Sequence, residues 1–207
     1  GRCGTLPALA GLLLLAHAAA AQESAPDIFS DVRQEGEFIS VTATAELAVP
    51  RALAYAVLTD YERFAEFIPD LEYSRVVLRQ GTGVVLEQKG TMRFLFFSQP
   101  MDVRLAVIES YPERVMSRSL GGSLRGFTGR YELLETAGGV RIVYNARFIP
   151  AFVLPEILGT FIVRSVTVKN FAMSLQEMQR RNAREQQRTR APAPGTPAAG
   201  MPATPAN

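Results

Sequence analysis

Residues Phe38 to Val49 alternate apolar and polar with a period of two. Ile39, Val41, Ala43, Ala45, Leu47 and Val49 share one side, and Ser40, Thr42, Thr44 and Glu46 share the other. Successive side chains of a strand point to opposite faces, so this pattern predicts a half-buried strand. Pro50 suits the first turn of a helix, and Ala52 to Leu58 continues as one. Thr59-Asp60 opens a second short helical piece, Tyr61 to Phe67, with Pro69 beyond its end and Asp60 as the expected cap. Tyr55 and Leu58, with Phe64, Phe67 and Ile68, are expected to pack against one end of a sheet.

Five or six strands are predicted downstream. Leu71 to Gln80 turns at Gly81-Thr82-Gly83 into Val84 to Arg93, whose expected inward row is Val84, Leu86, Gln88, Gly90 and Met92. Met101 to Glu109 puts Met101, Val103, Leu105 and Val107 inward. Arg114 to Leu120 is a weaker strand closed by Gly121-Gly122. Phe127 to Glu135 turns inward Phe127, Gly129, Tyr131 and Leu133; after Gly138-Gly139, the row Val140, Ile142, Tyr144, Ala146 and Phe148 ends the sheet.

From Pro155 to about Arg188 the period becomes helical. Roughly 30 residues at about 1.5 Å each make a rod about 45 Å long. Thr167, Asn170, Ser174, Glu177 and Arg181 form its expected solvent face; Leu158, Phe161, Ser165, Val168, Ala172 and Leu175 form its expected sheet face. The order of elements is an α+β layout, with a curved antiparallel sheet of six or seven strands packed on one long helix. A stripe containing small residues leaves a gap above such a sheet, and that gap is the candidate site.

Both ends of the chain stand apart from this domain. Residues 1–21 read as an export signal: Arg2, the apolar run Leu12 to Ala16, then small residues through Ala21. The run is shorter than the ~18–20 residues of a membrane span. Residues 22–36 read as a linker, 37–188 as one domain, and 189–207 as a disordered Ala/Pro-rich tail. A periplasmic or secreted location is expected.

The chain has a single Cys and a single His, and both Cys3 and His17 lie in the expected signal. Their removal excludes Cys nucleophiles, Ser-His-Asp triads and Cys/His zinc sites. No metal or cofactor is expected, and any catalysis would fall to Asp, Glu, Lys, Arg or Tyr. The candidates are Asp60, Glu66, Asp102, Arg118, Arg130, Glu132 and Tyr144. Asp102, Arg130 and Glu132 occupy outward strand positions; only Tyr131, Tyr144 and Arg118 could point inward. Tyrosine, with an ordinary pKa near 10, is a poor general base, so the enzyme reading is the weaker one.

Lys and Arg number 22 against 20 Asp and Glu, a net charge of +2. Arg180, Arg181, Arg184, Arg188 and Arg190 concentrate positive charge at the helix end, where it complements the helix dipole. Without interleaved aromatics, this gives no support for nucleic-acid binding. Two apolar loops, Phe94 to Phe97 and Phe148 to Pro155, are expected to be buried as a strand extension and a lid. Transient membrane contact through Phe94–Phe97 and Phe148–Leu154 is the competing expectation.

Val49-Pro50, then Ala54-Tyr55-Ala56-Val57-Leu58-Thr59-Asp60-Tyr61-Glu62 and Phe67-Ile68-Pro69, form a phrase that resembles the START-like superfamily. This is the polyketide cyclase/dehydrase and lipid-transport (SRPBCC) group, and the phrase is most similar to its coenzyme-Q-binding branch. Gly126-Phe127-Thr128-Gly129-Arg130-Tyr131-Glu132-Leu133 supports the likeness. The resemblance covers roughly residues 38–181 and implies a helix-grip fold with a deep apolar pocket between sheet and long helix. The inward rows agree with that implication, because they are apolar with a few orienting polar tips. The expected lining is Leu86, Gln88, Met92, Met101, Val103, Leu105, Phe127, Tyr131, Tyr144, Ala146 and Phe148 from the sheet, and Phe161, Ser165 and Val168 from the helix. The expected function is a monomeric, exported carrier of a hydrophobic small molecule, a lipid or a prenyl/quinone-like compound. The alternatives are a polyketide aromatase/cyclase and a docking module with a packed interior.

Overall fold

The computed structural model describes residues 26–155 and 157–190. The expected export signal, and the tail beyond Arg190, lie outside the described residues. Eight antiparallel strands form one curved sheet, one more than the largest number expected. They are β1 Phe29–Glu35, β2 Phe38–Leu47, β3 Leu71–Gln80, β4 Gly83–Phe94, β5 Phe97–Ser110, β6 Arg114–Gly122, β7 Leu124–Thr136 and β8 Gly139–Pro150. The order across the sheet is β1-β2-β8-β7-β6-β5-β4-β3, so β8 returns beside β2 after a meander of hairpins. Helices α1 (Arg51–Leu58) and α2 (Phe64–Phe67), joined through a 3-10 turn at Tyr61–Arg63, fill the gap between β2 and β3. The last element is α3, Gly159–Arg190. Its 32 residues make a rod about 48 Å long at about 1.5 Å per residue.

The eighth strand is β1, which occupies residues expected as linker. Its segment Phe29-Ser30-Asp31-Val32-Arg33-Gln34-Glu35 carries too few apolar residues to announce a strand. An edge strand needs little more than a partner's backbone and tolerates charge, which guards its open side. Gly36, at φ 62°, supplies the left-handed turn that pairs Glu35 with Phe38 and Phe29 with Thr44. Ser30 is buried, and its Oγ accepts a hydrogen bond from Arg164 Nε at 3.0 Å, which ties this edge to α3.

The core lies between the inward sheet face, α1 and α3. Ala43, Ala45, Leu133, Val140 and Ile142 from the sheet meet Val57 of α1 and Leu175 and Met178 of α3 in one fully buried cluster. The helix therefore lies on the sheet as expected, but rotated about its axis. Its buried positions are Ile162, Val163, Val166, Phe171, Ser174, Leu175, Glu177 and Met178. Three of the five residues expected in solvent, Thr167, Asn170 and Ser174, face the sheet. Of the expected sheet-facing stripe only Leu175 is buried; Phe161 is 54% exposed, and Ser165, Val168 and Ala172 are half-buried.

Glu177 fixes this rotation. It is only 5% exposed, and its carboxylate accepts hydrogen bonds from Arg180 Nε and Arg181 Nε, each at 2.6 Å. Arg181 also reaches Asp60 at 2.7 Å, joining α3 to the turn after α1. Asp60 is thus structural, but through ion pairs with Arg181 and Arg63; its side chain makes no capping hydrogen bond. Burial pushes the Glu177 carboxyl up, yet the two guanidinium partners outweigh it and hold the group below its ordinary range.

Candidate functional site: a chamber beneath the long helix

Two residues along β7 and β8 separate the packed core from an open space. Leu133 pairs with Ile142 in the core, and Tyr131 pairs with Tyr144 at its border. The two phenol rings stack at 4.5 Å between centroids, and Phe171 of α3 lies parallel to Tyr131 at 6.5 Å. Beyond this aromatic wall is a cavity of about 330 Å³. Its floor is Leu86, Gln88, Val103, Leu105, Val107, Val115, Ser117 and Phe127; its roof is Val166, Thr167, Asn170, Phe171 and Ser174. Leu58, Tyr61, Phe64, Ile68 and Leu71 close the side nearest the short helices, and Leu124 completes the lining. Gly129 helps shape the floor, because a Cβ there would meet the Phe127 ring at 2.7 Å.

The chamber is apolar with a few polar tips. Gln88 Nε2 donates to Ser74 Oγ at 3.0 Å. Asn170 Oδ1 is buried without a hydrogen-bond partner among the described residues, whereas the Tyr61 hydroxyl faces the Glu109 carboxylate. A buried amide left unpaired is costly, so Asn170 calls for water or a ligand group. Burial raises the Tyr131 phenol, with the Tyr144 ring adding to it, and burial alone pushes Tyr144 up to about 12. Burial first and the Glu109 carboxylate second raise Tyr61 as well. All three phenols therefore stay neutral hydrogen-bonding groups near neutral pH. No carboxylate, Lys or Arg among the described residues lines the cavity. Among the described residues no group of His, Cys, Asp and Glu could hold a metal ion.

Of the sequence-derived lining, Leu86, Gln88, Val103, Leu105, Phe127, Tyr131 and Tyr144 come together in the chamber. Ala146 and Phe148 are instead part of the packed core, because β8 has passed the chamber by that point. Met92 and Met101 sit farther along β4 and β5 towards their hairpin, half-buried and outside the lining. Phe161, Ser165 and Val168 are displaced by the helix rotation. Arg118 points away from the chamber: its neighbour Ser117 lines the cavity, and Arg118 stands beside Ala106 and Thr128 on the outer sheet face. Sequence reasoning missed Thr167, Asn170 and Ser174, although their three- and four-residue spacing was visible. It also missed Tyr61, Phe64 and Ile68, whose clustering before Pro69 was the available signal.

The two apolar loops are buried only in part: Phe94 and Phe97 extend β4 and β5, and Phe148 and Leu154 pack inward, but the hairpin tip and Val153 do not. Phe94 packs edge-on against Phe161 at 5.4 Å, but Leu95 and Phe96 are each 82% exposed. Val153 and Ile157 are exposed too. From the chamber, β4 runs on to this tip and α3 runs back to Phe161, so these residues form an apolar lip on one side of it.

An antiparallel sheet gripping a long C-terminal helix, with an apolar chamber between them, defines the helix-grip class of START-like domains. The sequence profile of the family described as polyketide cyclase / dehydrase and lipid transport matches residues 47–172, and the chain belongs to that family. Solved structures agree on the fold. The STAR-related lipid transfer protein from Xanthomonas axonopodis is 14% identical with a TM-score of 0.60, covering 73% of this chain and 93% of its own. The Zhui aromatase/cyclase from Streptomyces sp. R1128 is 15% identical with a TM-score of 0.56, covering 80% and 100% respectively. Human STARD10 is 12% identical with a TM-score of 0.57, covering 82% and 79%. No curated protein matches the chain.

Proposed function

We propose that this protein binds and carries a neutral hydrophobic small molecule, with an apolar body and a hydrogen-bonding head, in the chamber between sheet and α3. The observation that carries this reading is the chamber itself: about 330 Å³ of apolar space with neutral Tyr131, Tyr144, Asn170 and Gln88 around it. Sites for small ligands run from about 300 to 1,000 Å³, so the space suits one chain or one compact ring system. Burying an ion there without a partner would be prohibitive, which selects against charged heads. A single-chain lipid or a prenyl/quinone-type compound has the right chemistry, and resemblance to the coenzyme-Q-binding branch supports the latter. The export signal expected at residues 1–21 supports a role outside the cytoplasm. The lip of Leu95, Phe96, Val153 and Ile157 supports ligand exchange at a membrane surface.

The aromatase/cyclase reading finds less support. Its proton transfers would fall to phenols that burial drives further from neutrality, with no cation in the lining to bring them back.

Mass spectrometry of organic extracts from gently purified protein tests the carrier reading. A single neutral apolar species near one-to-one stoichiometry is expected. It should vanish in Thr167→Trp, which fills the chamber from the roof. A clean extract, or one unchanged by Thr167→Trp, would contradict the proposal.

A further inference from the structure

The face of the sheet turned away from α3 carries a second concavity, a trench of about 860 Å³ that runs across the strands. Strand register shows how it is built. One row places Leu78, Val85, Ala106, Arg118, Thr128 and Arg147 side by side from β3 to β8. The adjoining row places Ile108, Met116, Arg130, Asn145 and Thr42 side by side from β5 to β2. The trench therefore has two different ends. Over β3, β4 and β5 it is apolar, with Leu78 56% and Ile108 51% exposed. Over β6, β7 and β8 it is cationic, with three arginines.

Among the described residues no carboxylate lines this trench. Glu132, just beyond it, lies 3.4 Å from Arg130. Arg118 has no ion-pair partner among the described residues, and Arg147 lies over the Phe38 ring, 3.6 Å from its centroid. Thr42 Oγ1 donates to Asn145 Oδ1 at 3.1 Å, which leaves the Asn145 amide group free to donate. Five strand spacings of about 4.8 Å make the trench about 24 Å long. Segregating an apolar half from a donor-rich cationic half is the complement of an amphiphile with an anionic head. Arginine's planar fork suits a carboxylate or phosphate.

We propose that the outer sheet face is a second binding site, which holds a single anionic amphiphile with its head at Arg118, Arg130 and Arg147. Its tail lies over Met116, Ile108, Ala106, Val85 and Leu78. The chamber thus selects a neutral head group and the trench an anionic one, and the second site does not depend on the first.

The test is calorimetric titration of the full chain with monomeric dodecanoate, with dodecanol and dodecyltrimethylammonium as neutral and cationic controls. Dodecanoate binding is expected to survive Thr167→Trp and to weaken at least about tenfold in Arg118→Glu/Arg147→Glu, as loss of charge-assisted hydrogen bonds implies. Ile108→Asp should weaken it as well. All three outer positions are exposed, so circular dichroism should show folded variants. The proposal is overturned if Thr167→Trp abolishes dodecanoate binding while the arginine variant does not, which would place the probe in the chamber. Equal binding of the three probes would overturn it too. So would arginine-dependent binding of anionic phosphatidylglycerol vesicles without monomer binding, or Ile108-dependent self-association in the absence of probe. Those two results would assign the face to a membrane or to a second copy.

Discussion

The two halves of the space beneath α3 are built from the same strands and the same helix, yet one is solid and the other hollow. Under the C-terminal half, Leu175 and Met178 meet Ala43, Ala45, Leu133, Val140 and Ile142, all completely or almost completely buried. Under the N-terminal half, Thr167, Asn170 and Ser174 face Leu105, Gln88 and the Tyr131–Tyr144 pair across open space. Small inward residues on β2 let the helix approach at the first end. At the second, the stacked phenols and Phe171 act as a prop that keeps helix and sheet apart. Stability resides in the solid half, so the hollow half is free to exchange what it holds.

Alanine substitutions give the largest expected contrast. Leu175→Ala or Ile142→Ala should cost about 2–5 kcal/mol in urea denaturation, as for other large-to-small changes in packed cores. Leu105→Ala should cost less, because one side of Leu105 already faces a void and has fewer contacts to lose. Equal losses at all three positions would erase the distinction between the halves.

The ion-pair cluster at the solid end should give the next largest effect. Glu177→Gln, which leaves Arg180 and Arg181 without their carboxylate, should cost about 1–3 kcal/mol at neutral pH. The folded Glu177 carboxyl lies below its ordinary value of 4.5, so its stabilisation is complete above that value and is lost as pH falls below it. Urea midpoints should therefore drop more steeply with acid in the parent protein than in Glu177→Gln. Parallel acid limbs would show that this carboxylate carries no such role.

The smallest expected change in stability is at the apolar lip of the hollow end. Phe96→Ser should alter stability by less than about 0.5 kcal/mol, as for other surface sites. It should slow transfer of the extracted ligand between liposomes. Unchanged transfer would remove the lip from the exchange route.

These contrasts explain how much of the molecule could be read from its residues. Strands whose inner face packs tightly alternate clearly, and β2, Phe38–Leu47, buries every second residue as the periodicity predicts. Strand β1 escaped because an edge strand with Asp31, Arg33 and Glu35 lacks that alternation. The larger miss was the rotation of α3. A hydrophobic-moment argument presumes that the buried face is apolar, and this holds over Leu175 and Met178. It fails over the chamber, where Thr167, Asn170 and Ser174 meet a cavity instead of side chains. A buried carboxylate, Glu177, reinforced the error by looking like a solvated residue. Seven of the fourteen expected lining residues still fall in the chamber, all from sheet rows, because strand phase survives a misjudged helix. The expected ends of the chain, the signal and the tail past Arg190, lie outside the described residues.

The most direct test of the hollow half is isotope-filtered NMR on labelled protein carrying its extracted ligand. The account predicts ligand cross-peaks to the methyl groups of Val103, Leu105 and Val166, and none to those of Ile142 and Leu175. Cross-peaks confined to surface methyls, or shared equally with Ile142 and Leu175, would contradict it.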